Sequence, residues 1–327
     1  MRFRRRGKST KKLIIELAGL VNYLTFQGGS RNVFHFNFDQ MDREQKLLTI
    51  RISGAHFSAC AYDLRRQIFI KDSYRRVPHS RKATCEVSIN NWRQVIESMQ
   101  SKILKDVDFC AISAPSTALN DSTGNCFGAA NYNDLQLDEV FAEILSLPDQ
   151  NVEVYSNSTS FLRGALESMP NIEDDCVAGI EIGSDLSPAL RCNSSIVDLN
   201  SLQNFRNCFS LEELTTTSLL KRYYEQTGIS LLNVSDLTDL YHKHPMAKRT
   251  MKEFCEQLSS FFASLRLLYP IKTLILGGDI IYPTEPMYML QRALGPVSLR
   301  IGNRLDFTTH IGMSLLFKET QVQLATL

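Results

Sequence analysis

The chain has 327 residues, 43% hydrophobic and 22% charged, enough for a sizeable core and two domains; this composition excludes a disordered, fibrous or acidic low-complexity protein. The net charge of +1 hides an asymmetry: seven bases and no acid fall in residues 1–12, MRFRRRGKSTKK, leaving the other 315 positions with six more acids than bases. No apolar run reaches the roughly 20 residues of a membrane span, Glu16 interrupts LIIELAGLVNYLTF, and the eight cysteines follow no framework spacing, which points to a cytoplasmic protein with no membrane insertion.

Taken in chain order, Ser9 or Thr10 is a suitable N-cap for a helix running to Val21, with Leu13, Leu17, Leu20 and Val21 on one face. NYLTF, QGGSR and NVFHFNF then read as a β-hairpin with Arg31 beside the Gly28-Gly29 turn. The pair resembles the recognition helix and wing of a winged helix-turn-helix, but only about eight residues precede Ser9, too few for the bracing helices. LLTIRISGAHFSACAYD alternates as two strands around Gly54, and IFIKDSYRRV reads as a third. SINNWRQVIESMQSKIL is an amphipathic helix, and VDFCAISAP a buried strand. CVAGIEIG and IVDLNSL predict two further strands, residues from Leu211 to about Tyr269 a long helical region, and TLILGGDII a strand ending at Gly277-Gly278. YHKHP, with His242 and His244, reads as a solvated turn between helices. Meander, helix, strand and helix recurring in two halves predicts an α/β protein of two similar lobes facing a cleft.

Several segments resemble, in order, those of the ROK family of sugar kinases and sugar-responsive repressors. They are LTIRISGAHFSACAYDL, AISAPSTALNDSTG (111–124), VEVYSNSTSFLRGALE (152–167), IEIGSDLSPAL (180–190), SSIVDLNSLQ (194–203) and LYPIKTLILGGDI (268–280). The similarity is greatest to the family's repressor branch, the N-acetylglucosamine repressor type. It implies an actin-like, hexokinase-type two-lobed fold of the ATPase superfamily with an N-terminal partial winged helix-turn-helix. The implied divisions are a partial winged-helix region over 1–45, an N-terminal lobe over 46–155 and a C-terminal lobe over 156–327, whose last helix packs back on the first lobe.

The resemblance also locates where kinase chemistry would sit. Sugar phosphorylation needs a carboxylate base and a phosphate cradle of close backbone. Aligned without gaps, the catalytic Asp falls on Thr159 and its preceding Asn on Ser158. Arg51 and Ser53 replace the acid and first glycine of the Asp-x-Gly turn, and Asp185 replaces a glycine of the second turn. The expectation drawn from these losses is that the chain is not an enzyme and has no catalytic residue. The family's zinc histidine falls on Ser201 and its cysteine cluster has shrunk to Cys208, with Cys192 as a distant candidate neighbour, so neither metal nor cofactor is expected. Asn131, Ser158, Thr159, Asp198 and Glu212 stand at positions that imply sugar contacts.

The basic head has its own rationale. Arg4, Arg5, Arg6, Lys8, Lys11 and Lys12, with Ser9 and Thr10 at the helix start, can neutralise phosphates, while Gly28, Gly29 and Arg31 would set the wing in an adjacent groove. The resulting expectation is a degenerate ROK-type transcriptional regulator, binding DNA as a homo-oligomer, a dimer, and responding to a sugar or sugar phosphate. A divergent sugar kinase and a partner-binding module are the alternatives.

Overall fold

The computed structural model describes residues 45–79, 83–100, 107–115, 136–193, 195–202, 205, 211–278, 284–302 and 307–326. The expected basic helix and hairpin, Asn131 and Cys208 lie outside them. Phe38–Thr320 form one compact unit.

The first sheet is built from β1 (Lys46–Ile52), β2 (His56–Asp63), β3 (Ile68–Phe69), β4 (Arg75–Pro78), β5 (Phe109–Ala114) and β6 (Val152–Ser156), with α1 (Cys85–Gln100) and α2 (Leu137–Leu145) between the later strands. Its order is β3-β2-β1-β5-β6, with β4 also on β2; β1 is antiparallel to β2 and parallel to β5. Alternation gives this sheet two chemically different faces. Leu48, Ile50, Ile52, Phe57, Ala59, Cys110 and Ile112 join Trp92, Ile96, Met99 and Phe141 from the two helices in one core. Trp92, Phe57 and Phe141 cluster, with the Trp92 ring centroid 5.8 and 5.5 Å from the two phenylalanines and these 6.4 Å from each other. The opposite face carries Thr49, Arg51, Ser58 and Ser113, all buried.

The expected third strand divides into β3 and β4, because Asp72 takes a left-handed φ of 61° between them. A short polar side chain tolerates that conformation, and the chain turns there.

The second sheet comprises β7 (Cys176–Ile182), β8 (Leu186–Cys192), β9 (Ser195–Asp198), β10 (Thr273–Gly278) and β11 (Ser298–Ile301), ordered β11-β10-β7-β8-β9. Three antiparallel strands followed by two parallel ones repeat the plan of the first sheet. β8 was not foreseen as a strand, and the reading of a strand through Leu202 shortens to β9 plus a 3-10 turn at Leu199–Ser201. The helical region resolves into a 3-10 turn at Leu211–Leu214, α4 (Thr216–Thr227), α5 (Val234–Leu240) and α6 (Pro245–Leu268), followed after β10 by α7 (Thr284–Leu294). The His242 turn separates α5 from α6, and His244 is the N-cap residue of α6.

Two helices bind the lobes together. α3 (Asn157–Glu167) leaves the first sheet and packs Phe161, Leu162 and Ala165 on Val177, Ala189 and Ile275 of the second. α8 (Phe307–Thr326) returns to the first sheet: His310 Nδ1 is 2.8 Å from Thr49 Oγ1 and its Nε2 3.0 Å from Ser58 Oγ. Phe317 packs on Phe109. Where α3 and α8 cross, Gly164 and Gly312 abut the other helix, and a Cβ on either would run into backbone.

Candidate functional site

Parallel strands place ligands outside their carboxyl ends. Here the ends of β1, β5 and β7, the turns after β1 and β7, and the start of α3 form one hydrogen-bonded cluster.

The β1–β2 turn is held by Ser53, whose backbone N–H donates to the His56 carbonyl at 2.9 Å and whose Oγ accepts from the His56 N–H at 3.0 Å. In the β7–β8 turn the Gly183 N–H donates to the Asp185 carbonyl at 3.0 Å, and the Gly183 carbonyl accepts from the Thr216 N–H at 2.8 Å. The two turns occupy equivalent places in the repeated plan, and they are bonded to each other. The Gly54 N–H donates to Asp185 Oδ2 at 3.1 Å. One step inside, Arg51 Nη2 meets Glu181 Oε1 at 2.7 Å with both side chains 7% exposed. Asp185 therefore does more than crowd its turn, since its carboxylate reaches across to the opposite lobe.

At the start of α3, Ser156 is an extended N-cap whose Oγ accepts from the Thr159 N–H at 3.2 Å. Its hydroxyl also lies 2.9 Å from both Ser158 Oγ and Thr159 Oγ1. Thr159 Oγ1 donates to the Ser156 carbonyl, so three hydroxyls close one network at the helix N-terminus. Asn157 fixes this network to the sheet: its Nδ2 donates to the Ile52 carbonyl at 2.9 Å and its Oδ1 accepts from Ser113 Oγ at 2.7 Å.

The structure thus brings Ser158 and Thr159 together beside the ends of β1 and β5. Asp198 closes β9, where its Oδ1 accepts from the Asn200 N–H, the capping role open to any loop aspartate. Asn200 Nδ2 then donates to the Leu186 carbonyl, directly after the Asp185 turn. Glu212 is exposed in the 3-10 turn that leads to Thr216, and through Thr216 its segment is anchored on Gly183. Cys192 faces Cys176. Among the described residues no three His, Cys, Asp or Glu side chains converge as a metal site, and no helix is long and apolar enough to cross a membrane. A groove of about 880 Å³ between α4 and α6, lined by residues such as Ser218, Arg222 and Glu253 and by Glu213 and Leu214 of the 3-10 turn, includes neither the β1–β2 nor the β7–β8 turn and is charged rather than apolar.

Sequence reasoning missed Glu181 and Asn157. A lone carboxylate inside the otherwise apolar run CVAGIEI is the signal that Glu181 offered, because a buried charge requires a partner. Asn157 gave none beyond its place at a strand end.

No family sequence model matches the chain, and neither does any curated protein sequence. Solved structures do match in fold. A ROK hexokinase from Thermus thermophilus is 14% identical, with 85% of this chain and 100% of that one covered at a TM-score of 0.61. A ROK family glucokinase from Streptomyces griseus, solved with glucose and AMPPNP, is 14% identical over 83% and 98% of the two chains, TM-score 0.62. A ROK family transcriptional regulator, described as a homologue of the E. coli MLC protein, is 12% identical over 86% and 80%, TM-score 0.62. The fold is the two-lobed actin-like one of ROK sugar kinases and regulators.

These neighbours overturn the expectation that the chain is not an enzyme. Most of the proteins that share its frame are sugar kinases, including hexokinase, glucokinases and a glucomannokinase. The expectation rested on single residues placed by a gap-free alignment, whereas the likeness to these structures is one of fold and extends over 83–86% of this chain.

Proposed function

We propose that the chain is a transcriptional regulator of the ROK type, resembling the N-acetylglucosamine repressor branch, that binds DNA in the bacterial cytoplasm and responds to a sugar or sugar phosphate. The observation that carries this reading is the bonding of the two equivalent turns, Arg51 to Glu181 and Gly54 to Asp185. These bonds tie the two lobes together at one place, and a ligand with different affinities for the joined and separated arrangements would shift the balance between them. Asp198, Glu212, Asn131, Ser158 and Thr159 are the proposed sugar contacts. Arg4, Arg5, Arg6, Lys8, Lys11 and Lys12 are the proposed phosphate contacts of the DNA head, with Ser9, Thr10, Gly28, Gly29 and Arg31 setting its helix and wing. A homodimer would present two such heads to a symmetric site.

A sugar kinase is the second reading, favoured by the number of sugar kinases among the structures that share the fold. Selection of genomic DNA fragments by the full chain, with excess non-specific competitor, separates the two. A discrete palindromic site, lost on removal of residues 1–31, is the outcome expected of the regulator. Absence of any selected site, together with ATP-dependent turnover of a hexose or N-acetylhexosamine, would replace it with the kinase.

A further inference from the structure

Cys176 opens β7 and Cys192 closes β8, and the two are partners in the antiparallel register. The ladder fixes which kind of pair they form. The next pair outward is joined by the Asn193 N–H donating to the Asp175 carbonyl at 2.9 Å, and the Cys176 carbonyl turns the other way to accept from the Lys272 N–H at 3.2 Å. Cys176 and Cys192 therefore form a non-hydrogen-bonded pair, the type with the closer approach, about 4.5 Å between Cα atoms. That spacing lies within the disulfide range of roughly 4.4–6.8 Å. The sulfurs are 3.3 Å apart.

Their surroundings hold them there. Arg191 donates to the Ile172 and Asp174 carbonyls, which clamps the segment entering β7. Cys176 is buried and Cys192 half-buried, so Cys192 is the more exposed of the two. Cys60, Cys110 and Cys255 are buried, and the Cys60 sulfur lies 3.4 Å from Ser73 Oγ.

We propose that Cys176 and Cys192 are a redox modification site, a dithiol that a small disulfide such as glutathione disulfide converts to a cross-strand bond. The Cys192 thiolate attacks one sulfur of glutathione disulfide, forming a mixed disulfide and expelling one glutathione thiolate. The Cys176 thiolate then attacks Cys192 Sγ, the protein disulfide forms, and the second glutathione leaves. Two protein thiols are oxidised, one glutathione disulfide is reduced to two glutathiones, and the two protein protons end on the leaving thiolates. Burial raises the pKa of the Cys176 thiol, so the second step accelerates with pH. The bond would fasten the β7–β8 hairpin at the end opposite Asp185, fixing the strand pair that presents that turn.

The test equilibrates the full chain with glutathione disulfide, quenches with acid, alkylates and maps the peptides by mass. The expected result joins the Cys176 and Cys192 peptides, leaves Cys85 alkylated, and raises the thermal midpoint by on the order of 5 °C. Cys192→Ala, at a half-buried position, should remove both effects, and Cys85→Ala neither. Glutathione persisting on Cys192, a bond from Cys192 to Cys208, both thiols remaining free, or an unchanged midpoint would each overturn the proposal.

Discussion

Arg51 and Glu181 occupy the same place in the two halves of the molecule, the penultimate residue of a seven-residue first strand, and their side chains meet at 2.7 Å. The pair joins strands that belong to different sheets and lie 130 residues apart in sequence. Such a buried contact adds little net stability compared with a well-packed apolar pair, because both ions are desolvated, but it is costly to break on one side.

Removing one partner should therefore be more harmful than removing both. Arg51→Met or Glu181→Leu alone should cost about 3 kcal/mol of unfolding free energy, and the double substitution distinctly less than the sum. Urea denaturation of the four proteins measures this. Strict additivity would show that the two groups do not act as a pair.

Asn157 satisfies groups on two strands of the first sheet from the start of a helix that packs on the second. Asn157→Ala strands the buried Ile52 carbonyl and Ser113 hydroxyl, at about 2 kcal/mol. Thr159→Ala, which keeps the Ser156 cap, should cost no more than about 1 kcal/mol. If the two losses came out equal in thermal or chemical denaturation, the fixing role given to Asn157 would be wrong.

The crossing of α3 and α8 depends on two glycines. Gly164 faces the Thr308 carbonyl and Gly312 the Ser160 carbonyl, both backbone atoms with no rotamer through which to yield. Gly312→Ala should destabilise by about 2 kcal/mol despite alanine's better helix propensity, whereas Gly228→Ala meets no atom and suffers only its left-handed φ of 71°. A stabilised Gly312→Ala protein would contradict the close crossing.

Alkaline pH should loosen the fold. Burial raises the Cys255 thiol from 9.0 to about 12, with Glu256 adding to the rise, and burial also raises the thiols of Cys110 and Cys60. Between the ordinary value of 9.0 and these raised values the folded chain keeps protons that the unfolded chain has lost. Unfolding free energy then falls as pH rises, so this contribution is complete below 9.0 and lost through the window toward about 12. Denaturant midpoints taken across that window check the slope, which Cys255→Ala should make shallower. A flat profile would show that these thiols are solvated in the folded state.

The plan of two similar lobes was legible because it rests on local patterns. The alternations in KLLTIRI and HFSACAYD and the apolar runs FCAISA, CVAGIEI and TLILGG each lie in one strand of the structure. β8 was hidden by Pro188, since proline is excluded from the middle of a ladder. In the structure Pro188 pairs with Ile180 on β7, but the β9 ladder begins only at Ala189, so at Pro188 the other flank of β8 has no β9 partner and the missing N–H breaks no bond. That arrangement depends on where another strand stops.

Composition and periodicity by themselves determined the fold class, the order of most strands and helices, and the basic charge gathered at the N-terminal end. Only the tertiary structure decided what the unusual residues do. Read in sequence, Arg51 and Asp185 are losses from a phosphate-binding pattern; in space Arg51 neutralises Glu181 and Asp185 accepts the Gly54 N–H. Periodicity reports the face on which a side chain lies within its own element, but a buried charge is satisfied by whatever the packing of distant elements brings within about 3 Å.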